Sequence, residues 1–223
     1  MVNTDELRFT SLLCSRLCHD LIGSIGAINN GLELLGGDHD RETQRGAMET
    51  QRGAMELIEI AARDLRNKAQ YMRTAFGLPG GVEIDLERSR ELAMNLFAAG
   101  KIKLDWPEHG WLPTLYQGEH KLLLNMLWLA GDALARGGQL RLTFTSDVNH
   151  FTMAVIAQGP TARLRNDLCD ALTGEVPIEA LDAASVQARL TMLLAIHLGV
   201  DLTIDQFEGD ELSEFHLTAA IAR

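Results

Sequence analysis

The stretch from Cys14 to Gly37, CSRLCHDLIGSIGAINNGLELLGG, decides how the rest of the chain is read. Its apolar positions Cys14, Cys18, Leu21, Ile25, Ile28, Leu32 and Leu35 alternate in steps of four and three, the signature of a helix with a heptad seam. Gly36 and Gly37 stop that helix, and Asp38 and Asp40 are placed to cap the next one. On this reading Cys14 and Cys18 point into a bundle as small hydrophobes. His19, one position off the seam, faces outward.

A second seam follows: Met48, Gln51, Met55, Ile58, Ala62, Leu65, Ala69, Met72 and Phe76, polar only at Gln51. It ends at Gly77 and the Pro79-Gly80-Gly81 run. Two such helices form a helical hairpin over residues 1–78, each roughly 45 to 55 Å long at about 1.5 Å per residue. That is more seam than two helices bury between themselves, so a homodimer forming a four-helix bundle is expected. The second helix carries TQRGAME twice, Thr43 to Glu49 and Thr50 to Glu56. Seven residues are close to two full turns, so the duplication lengthens the helix and keeps its seam in register. Gly46 and Gly53 each weaken the helix by about 1 kcal/mol, so this end is expected to fray.

His19 follows a cysteine, yet the spacing Cys-x-x-x-Cys-His is not the Cys-x-x-Cys-His of haem attachment. No second Cys/His pair stands at metal spacing, so no metal site is expected. Around His19, Ser15, Arg16, Ile22, Gly23 and Gly26 lie within one or two turns. The two glycines cost helix stability and clear the backbone for another molecule. Asp20 can accept a hydrogen bond from the imidazole or meet a partner, and Arg16 offers a cation to phosphate oxygens. The set suits an imidazole that attacks phosphorus. Its plainer reading is a solvated histidine beside tolerated glycines. Ile22 is either an apolar docking residue or part of a wide stripe buried in the bundle. His39, His109, His120, His150, His197 and His216 have no comparable setting.

The chain has 223 residues, 46% of them hydrophobic, and a formal net charge of −11. That charge argues against nucleic acid or an anionic membrane as the main partner, since both need Lys and Arg to displace counterions. The N-terminus does not read as a secretory signal, and the longest mostly apolar run, 122–130, is too short to span a bilayer. A cytoplasmic protein with its three cysteines as reduced thiols is expected.

From residue 82 onward, over 82–223, the pattern turns to mixed strands and helices. VEIDL reads as a strand, Arg88 to Ala99 as a helix, KIKLDW as a strand and Glu119 to Ala135 as an apolar helix. QLRLTFTSDV and HFTMAVIAQ form a strand pair, Thr161 to Leu172 and Ser185 to Leu198 two helices, VDLTIDQF and LSEFHLTAAIA the closing strands. Helices on an antiparallel-rich sheet make an α/β sandwich, and the whole an α+β chain.

A dimerising hairpin with an exposed histidine followed by such a sandwich is the layout of two-component histidine kinases. The stretch LCHDLIGSIGAINNGLELL resembles the phosphoacceptor helix of ChpT-type histidine phosphotransferases, and VIAQGPTARL and the long hairpin fit the same family. Serine stands at position 24 where that pattern has proline. The resemblance implies a phosphorelay protein in which His19 takes a phosphoryl group from the aspartyl phosphate of one receiver domain and passes it to another. It implies hybrid kinases as donors and response regulators as acceptors, with magnesium supplied by the receiver and no cofactor of the chain's own.

Aligned with the kinase pattern, KLLLNMLWLAGDALA puts Trp128 and Asp132 where two asparagines would stand, with Asn125 one turn away. Tryptophan cannot ligate magnesium. Ala157 takes the place of the adenine-reading aspartate and only Gly159 remains of that turn. DAASVQARLTMLL has no glycine where a phosphate loop would be. A degenerate ATP site is expected. The receiver surface is placed at Ser15, His19, Ile22, Gly23, Gly26 and Asn30. Two other readings remain, a sensor kinase fragment that uses ATP in an unusual way, and a non-catalytic dimeric adaptor.

Overall fold

A computed structural model describes residues 4–36, 44–77, 85–108, 113–148 and 150–222. Two long helices come first, α1 (Thr4–Gly36) and α2 (Gln44–Phe76). They run antiparallel: Ser24 lies beside Asp64 and Lys68, and Gly31 beside Ala54 and Ile58. At Gly31 the helices touch so closely that an added Cβ would stand 2.5 Å from Ile58 Cγ1.

The stripe that α1 turns to α2 runs through Leu21, Ser24, Ile28, Gly31 and Leu35. It shares only part of the expected seam. Cys14, Cys18, Ile25 and Leu32 are exposed in the single chain, so the two cysteines do not lie in the contact between α1 and α2. In α2, likewise, Ala54, Ala61, Met72 and Ala75 are buried, while Met48, Gln51, Met55, Ala62 and Ala69 are exposed. The reason is that each helix carries two adjoining stripes. One closes the pair, and a second, with Ile25, Leu32, Met48 and Met55, is left uncovered in the single chain. The expected caps Asp38 and Asp40, with Gly37, lie outside the described residues, as do Pro79 to Gly81.

The remainder is a sandwich of helices on one sheet. Its elements are α3 (Leu86–Phe97), β1 (Ile102–Asp105), α4 (Gln117–Asp132), β2 (Gly138–Ser146), β3 (His150–Gly159), α5 (Asn166–Thr173), α6 (Val186–Leu198), β4 (Asp201–Phe207) and β5 (Ser213–Ala222). A single 3-10 turn, Ile178–Ala180, precedes α6. The strand order is β1-β2-β3-β5-β4, with β1 parallel to β2 and every other pairing antiparallel. Residues alternate strictly in β3 and β5, so Phe151, Met153, Val155 and Ala157 share the buried face with Phe215, Leu217, Ala219 and Ile221.

Two local expectations are corrected. Asp85 does not continue a strand: its side chain accepts from Arg88 N at 2.7 Å and caps α3, which takes in Leu86, while 82–84 lie outside the described residues. The helix expected from Thr161 begins at Asn166.

Helix α4 is apolar on every side, with Leu122, Leu123, Leu124, Met126, Leu127 and Leu129 fully buried, and such a helix belongs at the centre of a core. It is also the joint with α2. Tyr71 Oη donates to Leu124 O at 2.6 Å, and Asn125 Nδ2 donates to Ala75 O at 2.9 Å. Trp128 lies 5.5 Å from the Tyr71 ring and 5.9 Å from that of Phe76. Aromatic packing of this kind fixes the sandwich to the helix pair beyond the area it buries.

Candidate functional site

His19 projects from α1 with its side chain 83% exposed. Its Nδ1 lies 3.2 Å from Asp20 Oδ1. A neutral imidazole that donates from Nδ1 keeps its lone pair on Nε2, so this contact turns Nε2 outward as a nucleophile. Asp20 is in turn bound on its other oxygen: Arg16 Nε donates to Oδ2 at 2.5 Å, one helical turn back. Arg16 is only 14% and Asp20 15% exposed, so the pair behind the histidine is shielded from water and screened less than a surface pair.

The guanidinium does more than hold Asp20. Nη2 donates to Asp132 Oδ2 at 3.2 Å, Nη1 to Ala184 O at 3.4 Å, and the group lies 5.9 Å from the centre of the Trp128 ring. The sequence marks Arg16 as a cation for phosphate oxygens; in the structure it ties α1 to the sandwich, each of its three nitrogens meeting an acceptor. Trp128 and Asp132, the residues at the kinase asparagine positions, are thus the ones that receive it.

Arg8 makes a second tie that the sequence reading missed. Nε donates to Ile178 O at 3.1 Å and Nη2 to Glu179 O at 2.8 Å and Leu181 O at 3.1 Å. No sequence pattern marks an arginine whose acceptors are backbone carbonyls some 170 residues away. Ser24 was singled out only for the missing proline. It is buried, its Oγ donates to Asp64 Oδ2 at 2.5 Å, and Lys68 Nζ meets Asp64 at 2.8 Å. Helix α1 runs unbroken through this position.

The other residues proposed for the partner surface fall on the outward side of α1. Ser15, Gly23 and Asn30 are exposed, Gly26 is half-buried, and Ile22 is 61% exposed. An added Cβ would meet nothing within 4 Å at Gly23 or Gly26, so neither glycine is required by the fold of the single chain. Behind the site, between the helix pair and the sandwich, is a cavity of about 560 Å³ reached by Arg16, Asp20, Lys68, Phe97, Trp128 and Asp132.

The positions compared with an ATP site are occupied by structural contacts. Ala157 is fully buried on the inner face of β3, where a carboxylate would have no water. Gly159 pairs with Ser213, and an added Cβ would stand 2.7 Å from Gly137 O. Asn125 spends its amide on Ala75 and Lys121 carbonyls and accepts from Gln187 Nε2 at 3.2 Å. The segment before α6 is folded on Asp182, which accepts from Ala184 N and from Ser185 N and Oγ. Those bonds from Ser185 hold the Asp182 carboxyl below the usual carboxylate range. Among the described residues no three His, Cys, Asp or Glu side chains are grouped to hold a metal, and no helix is long and apolar enough to cross a membrane.

Residues 86–210 match the family described as histidine phosphotransferase C-terminal domain. The chain is 36% identical over 205 residues to the protein phosphotransferase ChpT of Brucella abortus (strain 2308), covering 91% of this chain and 92% of that protein. It is also similar to the solved structure of a bacterial phosphotransferase, with a TM-score of 0.77 and 34% identity over 95% of this chain and 96% of that one. With its sandwich matched to the family over most of its length and more than nine-tenths of the chain aligned to such relatives, the chain belongs to the ChpT-type histidine phosphotransferases.

Proposed function

We propose that this chain relays phosphoryl groups between receiver-domain aspartates through a phosphohistidine at His19, without using ATP. The observation that carries the reading is the His19–Asp20 contact on an exposed helix face, with Nδ1 engaged and Nε2 open.

The chemistry is two in-line displacements. Nε2 attacks the phosphorus of an aspartyl phosphate, the P–O bond to the acyl oxygen breaks, and its electron pair leaves with the receiver's carboxylate. The ring becomes an N-phosphorylated imidazolium that keeps its Nδ1 proton, and the Asp20 carboxylate stabilises that positive charge. Attack by the second receiver's aspartate reverses the sequence and returns a neutral imidazole with its proton still on Nδ1. Magnesium belongs to the receiver in both halves, so this chain supplies an oriented nucleophile and a docking face. Ser15, Ile22, Gly23, Gly26 and Asn30 form that face, the two glycines letting a partner approach the bare backbone.

Independence from ATP is supported by what replaces the nucleotide site. Trp128 and Asp132 are engaged with Tyr71, Phe76 and Arg16, and Ala157 is sealed in the core. A homodimer is supported by the uncovered stripe of Ile25 and Leu32 on α1 with Met48 and Met55 on α2, exposed large residues at heptad spacing that a second copy would cover as a four-helix bundle. The partners are then receivers of hybrid kinases and of response regulators, met in the cytoplasm.

The test is a receiver domain carrying radiolabel on its aspartate, mixed with the wild-type chain and with His19→Ala, beside labelled ATP alone. Label passing to the wild type only, and none from ATP, is expected. Label taken directly from ATP would make the chain a kinase, and none by either route with a cognate receiver would leave an adaptor.

A further inference from the structure

A carboxylate that faces an arginine is most strongly held side-on, by Nε and Nη2 together, one bond to each oxygen. Arg16 reaches Asp20 with Nε alone. Its Nη2 is turned instead to Asp132 on α4. The consequence falls on the oxygen that Nη2 leaves alone: Asp20 Oδ1 is the atom 3.2 Å from His19 Nδ1. Were Nη2 to close on Asp20, Oδ1 would be shared between the guanidinium and the imidazole, and the bond that orients the ring would be weakened.

We propose that Asp132 is a positioning residue for His19: by holding Nη2 of Arg16 it keeps Asp20 Oδ1 available to fix the imidazole with Nε2 outward. This rests on the phosphotransfer reading above and adds to it a role for the sandwich domain, which contributes one carboxylate to the order of the site without touching the phosphoryl group. The surroundings suit that role. Asp132 is faced by Arg16 and Asp20 of α1 and, more distantly, by Arg165 ahead of α5, and it lines the cavity behind the site with Lys68 of α2 and Lys101 before β1. Burial and the nearby Asp20 carboxylate push its carboxyl above the ordinary range, against the pull of Arg16, as expected for two carboxylates sharing one guanidinium. Trp128, one turn back on α4, and the Ala184 carbonyl hold the guanidinium from its other sides.

The test uses the full chain with Asp132→Asn, which keeps the shape and an acceptor oxygen but not the charge. A neutral amide competes poorly with the Asp20 carboxylate for Nη2, charge-assisted bonds being about twice as strong as neutral ones. Nitrogen-15 NMR of the His19 ring, at a pH where it is neutral, reports the share of the Nδ1–H tautomer. Phosphoryl transfer from a labelled receiver is timed alongside. Asp132→Asn is expected to lower the tautomer share toward that of Asp20→Asn and to slow transfer about tenfold, the scale of one charge-assisted bond. Asp132→Glu is expected to recover part of both, and Asp20→Asn combined with Asp132→Asn to be no slower than Asp20→Asn alone. An unchanged tautomer share in Asp132→Asn overturns the proposal, and so does a changed share with an unchanged rate. If the wild type accepts no label at all, the phosphotransfer reading fails, and the tautomer measurement alone decides whether Asp132 orients the ring.

Discussion

The Ser24 hydroxyl donates to Asp64 across 40 residues of chain, at 2.5 Å, in the buried contact between α1 and α2. Burial opposes ionisation of Asp64, yet hydrogen bonds from Lys68 and Ser24, with the Lys68 charge, hold its carboxyl below the usual carboxylate range. A depressed carboxylate contributes stability above its unfolded value, near 3.9, and loses it as pH falls through the folded value. Ser24→Ala is expected to cost about 1 to 2 kcal/mol in urea denaturation at pH 7, and less as the pH is taken down through the lowered folded value of Asp64.

Gly31 and Gly23 should separate stability from docking. Gly31→Ala puts a Cβ 2.5 Å from Ile58 Cγ1 and 3.2 Å from the Ala54 carbonyl, and is expected to cost about 1 to 3 kcal/mol. Gly23→Ala meets nothing within 4 Å and is expected to stabilise α1 by roughly 0.5 to 1 kcal/mol. If the outward face of α1 is where a receiver sits, Gly23→Ala nevertheless weakens receiver binding severalfold in calorimetric titration.

His120 is buried, with Nδ1 2.9 Å from Ser89 Oγ. Burial pushes its imidazole below the ordinary value, outweighing the Leu115 carbonyl and the charges of Glu119 and Asp85. The unfolded chain therefore binds the proton more readily, so this contribution is complete above about pH 6.5 and falls away as the solution is acidified. Stability measured between pH 7.5 and 5.5 is expected to decline, by no more than about 1.4 kcal/mol per pH unit from this group. His120→Gln is expected to flatten that slope.

Ile25 and Leu32 lie uncovered one heptad apart on α1. Ile25→Glu with Leu32→Glu is expected to convert a sedimenting dimer into a monomer whose far-ultraviolet circular dichroism is retained. A wild-type chain that sediments as a monomer would remove the basis for the bundle.

How far the residues announced all this varied with the range of the interaction. Heptad spacing, the Gly36 stop and the alternation of β3 and β5 are local, and they placed both long helices and the antiparallel-rich sheet. His19 was legible for the same reason, because its exposure and its partner Asp20 follow from positions on one helix. Much of the heptad seam is the stripe that the single chain leaves uncovered, because a helix with two partners carries two seams and spacing alone does not say which of them a second helix within the chain will cover. Asp85 was read into a strand since VEIDL has the composition of one, whereas its carboxylate caps α3. Arg8 carried no signal and Asp132 was marked only as standing at a kinase asparagine position, since the contacts each makes between α1 and the sandwich arise only from their packing.

The duplicated heptad in α2 has a consequence for how such a protein can change over generations. The second copy packs Ala54 against Gly31, and the antiparallel register sets Gly36, the last described residue of α1, near the boundary between the copies. Ser24, Asp64 and the His19 site lie on the other side of Gly31. Insertion in steps of seven at this end of α2 is expected to leave the chemistry untouched, which makes it a part of the molecule open to drift in length.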